Sequence, residues 1–266
     1  MIATRTAAYP LPSTRRALKL VQRNFLAYRH AWMAFVSGFF EPVFYLGAVG
    51  FGVGRFIDSI SYQGAEISYA TFMAPGMLAA SVLNGAIFDG FFGPFFKLNW
   101  MKTYDGVLTT PVNISDIAVG EVMWALIRGT IYSVGFLTVM LALGLIRSPW
   151  ALLALPAVML SGAALASGAM VMTAITKEIS SLEKVMTLVF FPLFLFSGTF
   201  FPVDLYPGYL QPVVVATPLY HSSSLLRMLT TGLVDASSLW HVVYLAAMFG
   251  VCSTITIRLM RRRLIV

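Results

Sequence analysis

Charge is scarce in this chain. Only 11% of its 266 residues are Asp, Glu, Lys or Arg, against about 25% in soluble domains. With 58% hydrophobic residues, there is too little polar surface to wrap a water-facing domain, so the class is polytopic membrane protein. Cysteine is almost absent: Cys252 alone permits no intrachain disulfide and no cysteine-built metal site. The three histidines, His30, His221 and His241, stand far apart with no H-E-x-x-H, so no metal site is expected. No G-x-x-x-x-G-K-[ST] occurs, which excludes ATP binding through a P-loop. There is no G-x-S-x-G, and no pair of embedded aspartates, because Asp89 reads as lying near one surface. An enzyme is therefore not expected, nor any cofactor in this chain.

What is present is six apolar stretches: Ala31–Gly54, Tyr69–Phe88, Gly129–Ile146, Leu152–Thr176, Val185–Phe201 and Leu239–Ile257. Each approaches the roughly 20 residues a helix needs to cross a bilayer. Threaded from a cytoplasmic N-terminus, they put 15 of the 18 Lys+Arg on the cytoplasmic side and leave Arg55, Arg147 and Arg227 outside. That bias predicts a multi-pass protein of the plasma (inner) membrane with both termini in the cytoplasm. The net charge of +7 then faces lipid headgroups and is no nucleic-acid signal.

The chain divides into residues 1–30 and a membrane domain, 31–266. Pro10 and Pro12 break the N-terminal tail, and Ser13 offers a helix cap. Ala17, Leu18, Val21, Phe25 and Tyr28 then recur at helical spacing among Arg15, Arg16, Lys19, Arg23 and Arg29, the pattern of an amphipathic helix lying in the membrane interface. No apolar signal core precedes Ala31, so a cleavable leader is not expected. Glu41 falls near the middle of the first span, beside a helix-kinking Pro42. A carboxylate at that depth costs about 3 kcal/mol. It either lines a substrate path or caps the kinked helix through backbone and Ser37.

The second span reads as ending near Asp89, with the Gly/Pro-broken segment Gly90–Met101 at the inner interface. The polar stretch 102–121 reads as a short helix, a turn and a second helix capped near Asn113 or Ser115. Glu121 and Arg128 lie seven apart on that helix, so they either share a charge network or snorkel independently. Span four (SGAALASGAM) has the small residues of close helix packing. Span five is short and carries Pro192 and Gly198. Residues 202–238 hold two apolar pieces too short to cross, Leu210–Ala216 and Leu219–Leu229, which read as re-entrant helices on the outer face. His221 there reads as bonding locally to Ser222–Ser224 or the backbone, and Arg261–Arg263 as a positive-inside anchor. Asn84 and the aromatics Phe191, Phe194, Phe196 and Phe200 are candidates for the substrate path or an outer gate; the alternative for the aromatics is lipid contact or packing.

Five stretches carry a family resemblance: EPVFYLGAVGFGVG (Glu41–Gly54), TPVNISDIAVGEVMWA (Thr110–Ala125), LFLFSGTFFPVDLYP (Leu193–Pro207), PLYHSSSLLR (Pro218–Arg227) and RRRL (Arg261–Leu264). The chain resembles the permease subunits of type-2 ABC exporters, and among these the nodulation-factor (lipo-oligosaccharide) export permeases. The resemblance implies a homodimer of permeases and two copies of a separate P-loop ATPase that binds ATP and Mg. It makes the N-terminal helix the interfacial connecting helix and residues 202–238 the outer cap. It also makes residues 102–121 the coupling element, with Tyr104, Asp105, Leu108, Thr109, Pro111, Asp116 and Glu121 as coupling candidates. The passenger it implies is amphipathic or lipid-linked: a lipo-oligosaccharide, a glycolipid or a drug. The alternative is an ion-coupled secondary transporter using Glu41, and the lack of an internal repeat weighs against it. A lipid-modifying enzyme would need an interfacial polar cluster that the sequence does not display.

Overall fold

The computed structural model describes residues 12–28, 40, 42–57 and 59–264. Glu41, Ser37 and the first part of the first predicted span lie outside the described residues. Helix α1 (Thr14–Tyr28) starts at the predicted Ser13 cap. Residues 42–45 are helical and continue through a π-helical stretch, Leu46–Gly52. A hairpin follows, β1 (Ile60–Tyr62) antiparallel to β2 (Ala65–Ile67). Its two turn residues, Gln63 and Gly64, have φ of 50° and 77°. Positive φ at both central positions matches the right-handed twist of the flanking strands.

Among the described residues, four helices are long and apolar enough to cross a membrane: α2 (Tyr69–Asn99), α4 (Ile114–Ala142), α5 (Pro149–Ile175) and α9 (Ser237–Leu264). Between α2 and α4 lies the short α3 (Thr103–Val107). The fifth predicted span forms α6, helical over residues 180–195, about 24 Å at 1.5 Å per residue. It ends before Gly198, whose φ of +66° suits a turn and not a helix. The two predicted outer pieces appear as α7 (Gln211–Val215) and α8 (Pro218–Thr231). Pro212 and Pro218 open them, where a missing N–H leaves no helical bond unmade.

Helix α2 is the core. Every residue of Tyr69–Gly85 except Asn84 is buried, which explains why the stretch is apolar all round instead of striped. The predicted end near Asp89 is corrected: the helix widens to a π-helical stretch at Ala86–Phe92 and runs on to Asn99. Pro94 does not stop it. The Gly90 carbonyl that Pro94 cannot serve accepts the Thr173 hydroxyl of α5 at 2.9 Å, and the Phe91 carbonyl accepts the same hydroxyl at 3.0 Å. A neighbouring side chain thus satisfies the freed backbone group where water is absent. Gly90 also permits the approach, since a Cβ there would stand 3.0 Å from the Ala166 carbonyl.

The bundle has two ends. One gathers the hairpin, the α4–α5 turn and the α8–α9 loop: Arg147 N–H donates to the Thr230 carbonyl at 2.9 Å, and Gln63 Nε2 to Asp235 at 3.1 Å. The other gathers α1, α3, the start of α4 and the end of α9. There Arg263 donates to the carbonyls of Thr173, Ala174 and Thr176, capping the C-terminus of α5. The reading of Arg261–Arg263 as only a lipid anchor is corrected for Arg263.

Candidate functional site

The α1 end contains the predicted coupling stretch. Helix α4 begins in a reciprocal cap: Asn113 Oδ1 accepts from Asp116 N–H at 2.9 Å, and Asp116 Oδ2 accepts from Asn113 N–H at 2.9 Å. Two backbone donors are satisfied at once. The fully buried Asp116 carboxylate also accepts Ser13 N–H at 2.7 Å and pairs with Arg16 at 2.6 Å, so it ties the start of α1 to the start of α4. Asn113→Ala should lower stability by about 1 kcal/mol, read as a fall in thermal midpoint in nanodiscs. An unchanged midpoint would mean that Asp116 holds the turn alone.

One helical turn further, Glu121 is fully buried. It accepts Lys97 Nζ at 2.7 Å, Asn24 Nδ2 at 3.0 Å and Arg23 at 3.4 Å, and Lys97 also donates to Asn24 Oδ1 at 3.0 Å. This knot joins α1, the end of α2 and α4. The Tyr104 hydroxyl of α3 is buried beside the same carboxylate without closing a hydrogen bond. Its burial pushes the phenol well up, so it stays protonated. Helix α1 lies this close because residue 120 is glycine: a Cβ there would come within 2.9 Å of Leu20 and 3.1 Å of the Ala17 carbonyl.

Arg128 neither joins that knot nor snorkels. It is 4% exposed and pairs with Asp89 at 3.0 Å, while Trp124 Nε1 donates to Asp89 at 3.0 Å and Arg128 Nε to the Tyr132 hydroxyl at 2.6 Å. Both alternatives for the Glu121–Arg128 relation are therefore corrected, and Asp89 is enclosed by protein. A buried ion pair holds its charges only while both partners are present. Lys97, Asn24, Arg16 and Asp89 were missed by sequence reasoning. Trp124, Arg128 and Tyr132 recur every fourth residue on one helix face, and that was the available signal for the Asp89 site.

Of the coupling candidates, Tyr104, Asp116 and Glu121 are buried, Leu108 is half-buried, and Asp105, Thr109 and Pro111 are exposed. The exposed turn is stiff, with the Thr109 hydroxyl donating to the Gly106 carbonyl at 2.7 Å and Thr110 to Val107 at 2.6 Å. The gate candidates divide. Asn84, Phe191 and Phe194 line one small cavity of about 120 Å³ with Tyr45, and Phe200 packs on Phe194 at 5.2 Å. Phe196 lies apart, against Tyr206 at 6.2 Å. His221 reaches beyond the local bonding read for it: its Nδ1 meets Nδ1 of His241 on α9 at 2.7 Å.

Residues 16–230 match the profile of the ABC-2 type transporter family. The chain belongs to that family. As an ABC-2 transporter it is a transmembrane permease component, and the match begins inside α1 and closes inside α8, so it takes in both charge clusters and the exposed turn. The permease is also similar to three rhizobial proteins, each named Nodulation protein J. The one from Rhizobium leguminosarum bv. viciae is 32% identical, covering 93% of this chain and 94% of its own length. The one from Rhizobium meliloti (strain 1021) is 31% identical, covering 91% and 92%. That of Bradyrhizobium diazoefficiens is 30% identical, covering 92% of each.

Proposed function

We propose that two copies of this permease form the membrane body of an exporter for an amphipathic, lipid-linked saccharide, driven by two copies of a separate P-loop ATPase that holds ATP and Mg. In this reading the chain crosses the plasma membrane six times with both termini in the cytoplasm. The Glu121 knot is the observation that carries the mechanism. It ties α1, α2 and α4 together, and the fully buried Tyr104 seats the exposed turn against that end of the bundle. A push on Asp105, Thr109 and Pro111 by a closing ATPase then moves three helices together instead of bending one loop. Asp116 and Glu121 act as positioning residues behind that face. The N-terminal helix serves as the connecting helix, α7 and α8 as the outer cap, and Asn84 with Phe191, Phe194 and Phe200 as the wall of the path. The resemblance of the five sequence stretches to lipo-oligosaccharide export permeases supports a cargo with a saccharide part.

Tagged permease in mild detergent should recover a P-loop ATPase at equal stoichiometry. Asp105→Arg, on an exposed site, should leave the thermal midpoint unchanged and cut that recovery about tenfold, the effect of roughly 1.4 kcal/mol at an interface. Recovery of the chain alone would overturn the reading and turn attention to an ion gradient acting at Glu41.

A further inference from the structure

At the hairpin end of the bundle a cavity of about 450 Å³ opens between the β1–β2 turn, the Gly198–Asp204 segment, α8 and the start of α9. That volume lies within the range of small-molecule sites. Its floor is Arg227, 2% exposed, whose Nε donates to the Phe72 carbonyl and Nη2 to the Gly198 carbonyl, each at 2.9 Å. The guanidinium lies 3.9 Å over the Phe72 ring and 5.5 Å from the Tyr62 ring. Among the described residues no carboxylate pairs with it. The cation is retained by dipoles and ring faces, an arrangement that holds a guanidinium in a fixed pose while its charge stays uncompensated.

The rest of the lining decides what such a cavity accepts. Asp204 is exposed and carries a negative charge at the mouth. The His221–His241 pair, with one Nδ1–Nδ1 contact of 2.7 Å, has room for one proton between the rings and cannot hold two facing N–H groups. An anion entering the cavity would meet Asp204, a cation would meet the buried charge of Arg227, and a purely apolar guest would strip water from Asp204 and from the Ser61 hydroxyl without replacing its hydrogen bonds. Trp240, 62% exposed, and the half-buried Tyr62 and Tyr220 add ring faces around these polar groups. Rings interleaved with donors and acceptors of both kinds suit a ligand that has apolar C–H faces and many hydroxyls.

We infer that this cavity is a saccharide-binding site for neutral sugars at the end of the permease opposite the ATPase-docking turn. The inference rests on the export reading, in which that end is the outer face. A sugar emerging from the path would be held there by Trp240 and Asp204 before release.

The test is saturation-transfer NMR on the full-length permease, with its co-purifying ATPase, in nanodiscs. The probes are maltotriose, cellotriose and chitotriose, with trigalacturonate and the chitosan trimer as anionic and cationic comparators. At least one neutral trisaccharide should receive saturation. Trp240→Ala should weaken it about fivefold, the loss of one stacking face, and Tyr209→Ala, an exposed aromatic outside the cavity, should leave it unchanged. No transfer to any neutral probe, a stronger signal from a charged one, or full binding in Trp240→Ala would overturn the site. Displacement of the bound sugar by its own dodecyl glycoside would identify lipid-linked cargo as the source. Retention against the glycoside would identify free saccharide. Absence of the ATPase from the preparation would count against the export reading, whereas failure of sugar binding with the ATPase present would count against this site alone.

Discussion

Glu121→Ala is expected to destabilise the permease by about 3 kcal/mol and to uncouple ATP hydrolysis from transport. The substitution removes the one carboxylate that Lys97, Asn24 and Arg23 share. Arg23 can turn to solvent, since its side chain is 32% exposed, but that of Lys97 is only 13% exposed and is left as a buried charge. Most of the loss therefore comes from Lys97. A double-mutant cycle separates this from cavity formation: Glu121→Leu with Lys97→Met removes both charges and keeps apolar volume, so it should recover more than half of the stability lost by Glu121→Ala. Thermal unfolding in nanodiscs reads the first effect. The number of ATP hydrolysed per passenger moved reads the second, and it should rise in both variants because the rigid link is gone in both. If the double variant regains stability and normal stoichiometry together, the knot is a structural fastening and does not transmit the stroke.

Much of the frame was legible because hydropathy and capping are local. The four long helices start within a few residues of Tyr69, Ser115, Leu152 and Leu239 as read, and the cap at Asn113 was visible in a single tetrapeptide. Errors arose where a distant residue decided the outcome. Pro94 read as a breaker, yet Thr173, on another helix, satisfies the carbonyl it frees. Asp89 read as the end of a span because nothing local reveals that Arg128 lies against it. Glu121 drew attention to Arg128, its neighbour along one helix face, while its real partners came from α1 and the end of α2. Such pairings have no periodic signature, so the sequence shows that a buried charge needs a partner without saying which. The short fifth span follows the same logic, because its limit is the turn at Gly198, which lies against Tyr220 of α8.

Gly85→Ala should lower stability by about 2 to 3 kcal/mol and abolish most transport, although one methyl group is the whole change. Helices α2 and α4 cross at Gly85 and Gly129. A Cβ on Gly85 would stand 2.8 Å from Gly129 Cα and 3.0 Å from its nitrogen, and backbone cannot rotate aside. Gly129→Ala is the matched control: its Cβ would meet Val82 no closer than 3.6 Å, so it should be neutral, or slightly stabilising through better helix propensity. Gly162→Ala belongs with the control, since its nearest neighbour at 2.9 Å is the flexible end of Leu126. The large effect should extend beyond the crossing. Asp89 lies one helical turn from Gly85, and its partner Arg128 adjoins Gly129, so pushing the helices apart stretches that ion pair. Gly85→Ala and Asp89→Asn should therefore combine to less than the sum of their separate losses, because each alone already weakens the same contact. Full additivity would mean that the crossing and the ion pair act independently, and that α2 and α4 do not move as the single body the coupling mechanism requires.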